Sequence, residues 1–293
     1  MSFVRWWKHI TRRKKANRSM LGNGFVIFLL LFFAAAMAIP LYYAIINAFK
    51  PYEEIFIFPP KFYVVNPTGE NFSDLFDMFA GSQVPFLRYV ANSILVSVAA
   101  TAAHILLASM AAYPMAKNQF RGKKQLDALI TLALLFVPSV TGLPTYIIIA
   151  QIGLIDTYGA IICPFIGGSM GLFMMKNFMS VIPTTLIEAA RIDGASEFRI
   201  YAQIVMPNVK PASMTLLMLT FQSAWNSTGG AYIFTEQIKM LPTAMSQLIA
   251  SNSIARAGVS AASAVFLMIP PIAMFIFSQS KVVKTMAHAG IKE

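Results

Sequence analysis

Uncharged, mainly apolar runs recur along the whole chain. A helix that crosses a membrane needs about 20 such residues, and a charge at its centre costs roughly 2.5–3.5 kcal/mol. Six runs reach or approach that length, at residues 19–49, 89–116, 128–155, 157–175, 211–235 and 257–280. The pattern therefore predicts an all-α, polytopic membrane protein with six transmembrane helices, at about 24–48, 88–116, 128–150, 157–177, 210–228 and 257–280.

The fourth run is the shortest, and it carries glycines at positions 159, 167, 168 and 171. Small residues allow transmembrane helices to approach closely, so we expect this helix to pack inside the bundle. His104 lies within the second run and has two interpretations. It either senses protons or, as a neutral histidine, hydrogen-bonds to a neighbouring helix.

A short charged stretch separates the fourth and fifth runs. Thr185 and Glu188 have the spacing of a capping box, which predicts the start of a helix. Gly194 can end that helix in a left-handed conformation, and Ser196 is placed to cap a second helix that runs to about Met206. Pro207 lacks an amide hydrogen and blocks simple continuation of the helix. The stretch is therefore predicted to be a helix-turn-helix elbow outside the bilayer.

Lysine and arginine residues are distributed unevenly between the two predicted sides. Most of the 23 in the chain precede the first run, follow the sixth, or lie between the second and third runs and between the fourth and fifth. Cytoplasmic segments are enriched in these residues, so both termini and the elbow are predicted to be cytoplasmic. Residues 1–19 then form a basic amphipathic segment on the membrane surface, residues 20–283 one membrane domain, and residues 284–293 a cytoplasmic tail.

Composition agrees with this class. The mean hydropathy is +0.64, and only 12% of residues are charged, against about 25% in soluble domains. The formal net charge of +11 follows from the membrane flanks, and no basic-aromatic stripe indicates nucleic-acid binding. Cys163 is the single cysteine, which excludes an intrachain disulfide and a thiolate metal cluster.

The chemistry that the sequence lacks also bears on function. It contains no phosphate-binding loop of the G-x-x-x-x-G-K-[ST] type, and no catalytic constellation is visible. The six runs contain no Asp, Glu, Lys or Arg, whereas transporters driven by ion gradients commonly keep such groups in their spans. An energy source outside this chain is therefore favoured.

Several motifs together resemble a known family. The tripeptide EAA at 188–190, Gly194, Ile204 and Pro207 resemble the cytoplasmic loop of permease subunits of ABC importers. Residues 89–93 (YVANS), 111–114 (AAYP), 144–146 (PTY), 154–159 (LIDTYG) and 225–226 (WN) look like the carbohydrate, or maltose-type, class. The similarity extends from the second run to the end of the chain.

This resemblance implies a permease subunit in the inner (cytoplasmic) membrane of a bacterium. Its expected partners, besides membrane lipid, are a second homologous permease subunit, two ATP-binding cassette subunits and an extracytoplasmic binding protein. ATP and Mg²⁺ would be bound by the cassette subunits, so this chain is expected to bind no cofactor or metal and to have no catalytic residue. The elbow would be the coupling helix that docks on one ATPase, through Glu188, Ala189, Ala190, Asp193, Gly194, Ala195, Ile204 and Pro207.

Polar and aromatic residues in the later runs are candidates for the translocation path. An aromatic ring beside amides suits a sugar, which has an apolar face and a hydroxyl edge. The candidates are Tyr146, Gln151, Gln222, Trp225 and Asn226. For each, the alternative is interfacial anchoring or a helix–helix hydrogen bond. The resemblance also suggests that the loop at 229–230 reaches into the binding protein and that the tail at 289–292 touches the ATPases.

The expected function is the uptake of oligosaccharides. The tail and outer loop look nearest to permeases for acidic oligosaccharides, such as fragments of alginate or pectin. The alternatives are an ABC permease for another small solute and a secondary transporter, which would work in vesicles without an ATPase.

Overall fold

The computed structural model describes residues 20–82, 84–229, 231–250 and 257–289. All regular elements in these ranges are helices, which confirms the predicted all-α class. The first seven are α1 (Met20–Ala48), α2 (Tyr52–Ile55), α3 (Glu70–Ala80), α4 (Phe86–Lys117), α5 (Lys123–Ala133), α6 (Pro138–Gln151) and α7 (Tyr158–Ile166). They are followed by α8 (Ser169–Ser180), α9 (Thr184–Ile192), α10 (Glu197–Ile200), a π-helical turn (Tyr201–Val205), α11 (Met206–Asn208), α12 (Lys210–Trp225), a 3₁₀ turn (Glu236–Ile238), α13 (Leu241–Ala250) and α14 (Ala257–Ala289).

Four helical segments are long and apolar enough to cross a membrane: Gly22–Ala48, Phe86–Lys117, Tyr158–Ser180 and Ala257–Gln279. A fifth is obtained if the bent pair Glu197–Asn208 and Lys210–Trp225 counts as one span. The third predicted span is divided, because α5 ends at Ala133 and α6 begins at Pro138. The six-span count therefore stays a prediction.

The second predicted span, α4, lies at the centre of the bundle. It packs against α7, α8 and α12, while α12 also packs against α14, and α14 against α1. The buried face of α4 carries small polar residues, among them Ser93, Ser97 and Thr101. Thr101 satisfies its hydroxyl within the helix by donating to the Ser97 carbonyl at 2.6 Å. Small side chains allow the neighbouring helices to come close, although the Ser97 hydroxyl is buried without a hydrogen-bond partner.

The glycines of the fourth predicted span do allow close packing. A Cβ added to Gly171 would lie 2.1 Å from His104 Nε2, and one added to Gly168 would lie 2.7 Å from His104 Cε1. His104 is buried, and its Nδ1 lies 3.3 Å from the Ile166 carbonyl, at the junction between α7 and α8. Of the two interpretations of His104, the helix–helix hydrogen bond is the one that the structure contains.

Candidate coupling site

The first helix of the predicted elbow, α9, ends as the sequence indicates. Gly194 has φ +79°. Its amide donates to the Arg191 carbonyl at 3.0 Å, and the Ala195 amide donates to the Ala190 carbonyl at 3.0 Å. These two bonds form a Schellman motif, which satisfies the last carbonyls of a helix and reverses the chain. The turn of the elbow is therefore fixed by the backbone conformation of Gly194.

The predicted capping box at the start of α9 is wrong. The helix begins at Thr184, with Pro183 as N-cap and no side-chain capping bond. The Pro183 carbonyl instead accepts from the Leu186 amide at 3.3 Å. The helix starts two residues earlier than the spacing of Thr185 and Glu188 requires, so both residues lie inside it.

The second helical run of the elbow begins where the sequence predicts. Ser196 is the N-cap of α10, and its Oγ accepts from the Arg199 amide at 3.4 Å. The run continues through the π-helical turn and α11 to Asn208. Pro207 does not end it, because the π turn just before Pro207 gives the ring, which has no amide hydrogen, room within the helix. The chain changes direction at Val209 instead, with a 78° bend between residues 197–208 and α12.

Buried side chains attach the elbow to α4. Ile187, Ala190 and Ile200 belong to the same core cluster as Ala112 and Tyr113 of α4. A polar contact lies at the edge of this cluster, where the Tyr113 hydroxyl donates to Glu197 Oε2 at 2.8 Å. A second follows one turn along α4, where Ser109 Oγ and the Tyr201 hydroxyl are 2.6 Å apart. The elbow is thus held rigidly against the second predicted span.

Glu197 links the two arms of the elbow. Arg191, in the last turn of α9, donates from Nε to Glu197 Oε1 at 2.7 Å, while both side chains remain about half exposed. The hydrogen bonds from Arg191 and then from Tyr113 lower the pKa of Glu197, although partial burial opposes the shift. The carboxylate therefore stays ionised at neutral pH and accepts from Arg191 of α9 and from Tyr113 of α4.

The exposed face of the elbow combines apolar and small residues. Ile192 is 86% exposed, and Glu188, Ala189, Asp193 and Gly194 are exposed beside it. Ala190 was expected on this face together with Ala189, but it is buried against the core, because adjacent helical residues point about 100° apart. Among the remaining elbow candidates, Ala195 and Ile204 are half-buried and Pro207 is exposed.

The candidates for the translocation path have separate surroundings. Trp225 is fully buried, donates from its indole N–H to the Leu267 carbonyl at 2.9 Å and stacks on Phe221. It is a core residue in this structure and is not available to stack on a sugar. Gln222 lines a small apolar pocket with Pro271 and Phe275 of α14.

The other path candidates lie nearer the surface. Tyr146 is half-buried and stacks on Tyr232, with ring centroids 6.0 Å apart. Gln151 and Asn226 are exposed, at the ends of α6 and α12. Within the described residues, no side-chain hydrogen bond assigns either of them another role, so both stay candidates.

Sequence reasoning missed how residues 227–229 and 231–240, here called the return segment, are fixed. Asn92 of α4 donates from Nδ2 to the carbonyls of Gln237 and Lys239, both at 2.9 Å. Asn92 Oδ1 accepts from the Tyr158 hydroxyl at 2.7 Å. Two of the quoted motifs, 89–93 and 154–159, therefore meet at the return segment. The motifs themselves were visible in the sequence, but their meeting was not.

A second group, Asp156, fixes the middle of the return segment. Its carboxylate accepts from the amides of Phe234 at 2.9 Å and Thr235 at 2.8 Å, and from the Thr235 hydroxyl. These bonds, the one from the Thr235 hydroxyl first, lower the pKa of Asp156. Asp156 has φ +61°, a left-handed conformation that aspartate tolerates better than most residues. The positive φ aims its carboxylate back at the segment.

The loop expected to reach into a binding protein is folded onto this chain at Gly229. Gly229 is buried, and a Cβ there would lie 2.8 Å from Ile161 Cδ1. Residue 230 lies outside the described residues, as do the amphipathic segment at 1–19 and tail positions 290–292. The described part of the chain contains no group of three or more His, Cys, Asp or Glu that could hold a metal ion.

Comparisons with known proteins identify the family of the chain. The profile of the family "Binding-protein-dependent transport system inner membrane component" matches residues 104–288. The galactooligosaccharide transport permease GanQ of Bacillus subtilis (strain 168) is 29% identical over 276 residues, covering 92% of this chain and 95% of GanQ. The polygalacturonan/rhamnogalacturonan transport permease YtcP of the same strain is 28% identical over 205 residues, covering 70% of this chain and 69% of YtcP.

A solved structure has the same fold. It is a chain of a bacterial ABC transporter involved in the import of the acidic polysaccharide alginate, with a TM-score of 0.72 and 21% identity. The match covers 92% of this chain and 99% of that one. The resemblance to carbohydrate-class ABC permeases is thereby confirmed.

Proposed function

Because the chain belongs to the family of binding-protein-dependent transport system inner membrane components, we propose that it imports oligosaccharides as one permease subunit of an ABC transporter. It is a multi-pass membrane protein and a transport subunit, and its relatives are permeases and not enzymes. ATP and Mg²⁺ belong to separate cassette subunits in this proposal. The observation that carries it is the elbow, which is rigidly mounted on α4 and exposes Ile192 and Ala189.

The exposed face of the elbow suits a docking surface for an ATPase subunit. Ile192 supplies an apolar contact, Ala189 allows close approach, and Glu188 and Asp193 supply charges at the rim. An interface of this kind pairs an apolar centre with a polar edge. Movement of the ATPase would reach α4 through the Tyr113–Glu197 contact and the shared core.

The proposed topology has six spans with both termini and the elbow in the cytoplasm. The third span is formed by α5 and α6 across the break at residues 134–137, and the fifth by α12. Thiol labelling tests it in a Cys163→Ser background. A membrane-impermeant maleimide should label Gln237→Cys in intact cells and Ile192→Cys only after permeabilisation. Labelling of Ile192→Cys from outside would refute the assignment of the elbow.

The translocation path requires a second, homologous permease subunit. The path candidates have different neighbours within this chain, and Trp225 is buried in its core. An open groove of about 540 Å³ between α4, α5 and the α7–α8 junction is lined almost entirely by apolar residues, which suits neither a sugar nor an ion. We therefore place the polar path between two subunits, with Gln151 and Asn226 as the contributions from this one.

The narrower substrate proposal is an acidic oligosaccharide. It is supported by the relative YtcP, whose name gives polygalacturonan and rhamnogalacturonan, whereas GanQ handles a neutral class. The assembled transporter in liposomes, with its binding protein, decides between them. Oligogalacturonate or alginate oligomers should stimulate ATP hydrolysis more than galactooligosaccharides do, and the reverse order would refute the acidic assignment while leaving the permease role intact.

Paired substitutions test docking at the elbow. Ala189→Trp places a large side chain on the proposed interface, whereas Ala202→Trp places it on an exposed position of the second helical run. In the reconstituted transporter, Ala189→Trp should abolish binding-protein-stimulated ATP hydrolysis and retain membrane insertion. Ala202→Trp should keep both. Equal activity of the two variants would exclude the exposed face of α9 as the docking surface.

A further inference from the structure

Residues 52–63, after the end of α1, display an unusual density of exposed aromatic side chains. Phe58 is 92% exposed and Phe62 58%. Tyr52, Phe56 and Tyr63 are exposed beside them. A surface of this kind indicates an interaction, because soluble surfaces rarely group large apolar residues in one place.

The aromatic segment is held in a defined conformation by polar contacts. Glu54 is buried, and its carboxylate accepts from the Val65 amide at 2.9 Å and from the Asn66 amide at 3.4 Å. Lys50 is also buried and donates from Nζ to the Lys61 carbonyl at 2.6 Å. The charged groups of Lys50 and Glu54 are thus turned inward at the base of the segment, while Glu53 and the aromatic rings are exposed.

Contacts with α1 fix the depth of the segment along the membrane normal. The Tyr42 hydroxyl donates to the Phe62 carbonyl at 2.8 Å, and the rings of Tyr43 and Phe62 are 5.9 Å apart. Tyr42 lies six residues before the end of α1 at Ala48, which corresponds to about 9 Å along the helix. The segment therefore folds back alongside α1 and does not extend away from it.

The length of α1 relates this depth to the bilayer. Gly22–Ala48 has 27 residues and is about 40 Å long, whereas the hydrocarbon core is about 30 Å thick. If the helix is centred, about 5 Å of it projects at each end, so Tyr42 and Phe62 lie close to the boundary between acyl chains and headgroups. The apolar window of α1 has none of its residues buried within this chain, so the aromatic segment continues an apolar surface that this chain leaves uncovered.

We propose that residues 56–63 form an interfacial anchor, with Phe58, Phe62 and Tyr63 inserted at the headgroup–acyl boundary of the leaflet at the C-terminal end of α1. Tyr63 suits this depth because its ring has an apolar body and a hydroxyl tip, and the Phe58 and Phe62 rings add apolar area that can enter the acyl boundary. Lys61 lies over the Tyr63 ring, with Nζ 5.7 Å from its centroid, and can direct its charge to the lipid phosphates. The anchor does not depend on the transported substrate.

Spin labelling of the complete transporter in liposomes of phosphatidylethanolamine and phosphatidylglycerol tests the anchor. A nitroxide is attached at Phe58→Cys in a Cys163→Ser background, and its collisions with oxygen and with a water-soluble nickel chelate are measured. Oxygen concentrates in the acyl region and the chelate in water. A label at position 58 should show high oxygen and low nickel accessibility.

Two positions in the same chain serve as controls. Phe32→Cys, on the exposed surface of α1, marks the lipid environment, and Asp74→Cys, on the exposed face of α3, marks water. The ratio of oxygen to nickel accessibility at position 58 should lie nearer that at position 32 than that at position 74. If Phe58→Cys prevents assembly, Phe56→Cys gives the same test.

Two results would overturn the proposal. A ratio at position 58 equal to that at position 74 would place the segment in water. Low accessibility to both reagents would show that a protein, either the second permease or the binding protein, covers the segment in place of lipid.

Discussion

The elbow at residues 184–208 and the return segment are both excursions from the membrane bundle, and they use their polar groups in opposite ways. In the return segment, backbone groups of Phe234, Gln237 and Lys239 are bonded to side chains of other elements. In the elbow, most backbone groups are satisfied within its own helices and turn. Its exposed apolar residues, Ile192 at 86% and Phe198 at 71%, have no cover from this chain.

The return segment is therefore fixed to other parts of the chain, whereas the elbow exposes a surface that a partner can bind. The return segment has turned its hydrogen-bonding groups inward, so it stabilises the ends of α4 and α7. The elbow is rigid because of Gly194 and the core beneath it, yet it leaves an apolar face free. Because this face is already ordered, a partner binds it without the entropy cost of ordering it. A rigid face also favours transmission of force.

The largest expected effect comes from removing the hydrogen bonds between Asn92 and the return segment. Asn92→Leu leaves two carbonyls and the Tyr158 hydroxyl without their partner, at roughly 1–3 kcal/mol for each group that stays unsatisfied. We expect a lower melting temperature in detergent and faster proteolysis of the return segment. Asn177→Leu, at an exposed position without such bonds, should change neither. Equal melting temperatures for the two variants would contradict the claim that Asn92 stabilises the return segment.

The next effect concerns the turn of the elbow. Gly194→Val forces a β-branched residue into φ +79°, which costs at least about 1–2 kcal/mol. No atom within 4 Å would clash with the new Cβ, so strain in the backbone is the sole local cost. Transport-coupled ATP hydrolysis should be lost while membrane insertion and the melting of the bundle are nearly retained. Full coupling in this variant would show that the turn geometry is not needed.

A smaller effect is expected from acid at the contacts between Asp156 and the return segment. The Thr235 hydroxyl and the two amides lower the pKa of Asp156 below its ordinary value of 3.8. Its stabilisation is therefore complete above that value and lost as the pH falls through the lowered pKa. Amide exchange of residues 234 and 235 in detergent should increase in this range for the native chain. In Asp156→Asn the exchange should be fast at every pH; a persistent pH step there would assign it to another group.

The smallest effect is expected at the link between the arms of the elbow. Glu197→Gln weakens a pair in which both side chains are about half exposed, and pairs of this kind contribute about 0–1 kcal/mol. The melting temperature should barely change, and combining it with Tyr113→Phe should add little, because both remove the same contact. A large additional loss in the double variant would show that Tyr113 has a second role.

Local signals in the sequence predicted much of the elbow correctly. Gly194 forms a left-handed turn and Ser196 an N-cap, and both involve only residues a few positions away. Their roles therefore follow from spacing alone. The predicted capping box was wrong because the helix begins two residues earlier, with Pro183 as N-cap, so that Thr185 and Glu188 lie inside it. The prediction that Pro207 ends the second helical run was also wrong. The π turn before it gives the proline ring room, and the bend lies at Val209 instead.

The sequence by itself determined the membrane class, the elbow with its turn and the family, because apolar run length, helix caps and short motifs are properties of neighbouring residues. Only the tertiary structure decided that Ala190 and Trp225 belong to the core and that Asn92 and Asp156 hold the return segment. Asn92 and Lys239 are 147 positions apart, and no periodicity or spacing encodes which distant carbonyl a buried amide will meet. That choice is made when helices pack, since each buried polar group must then find a partner among whatever the fold brings near it.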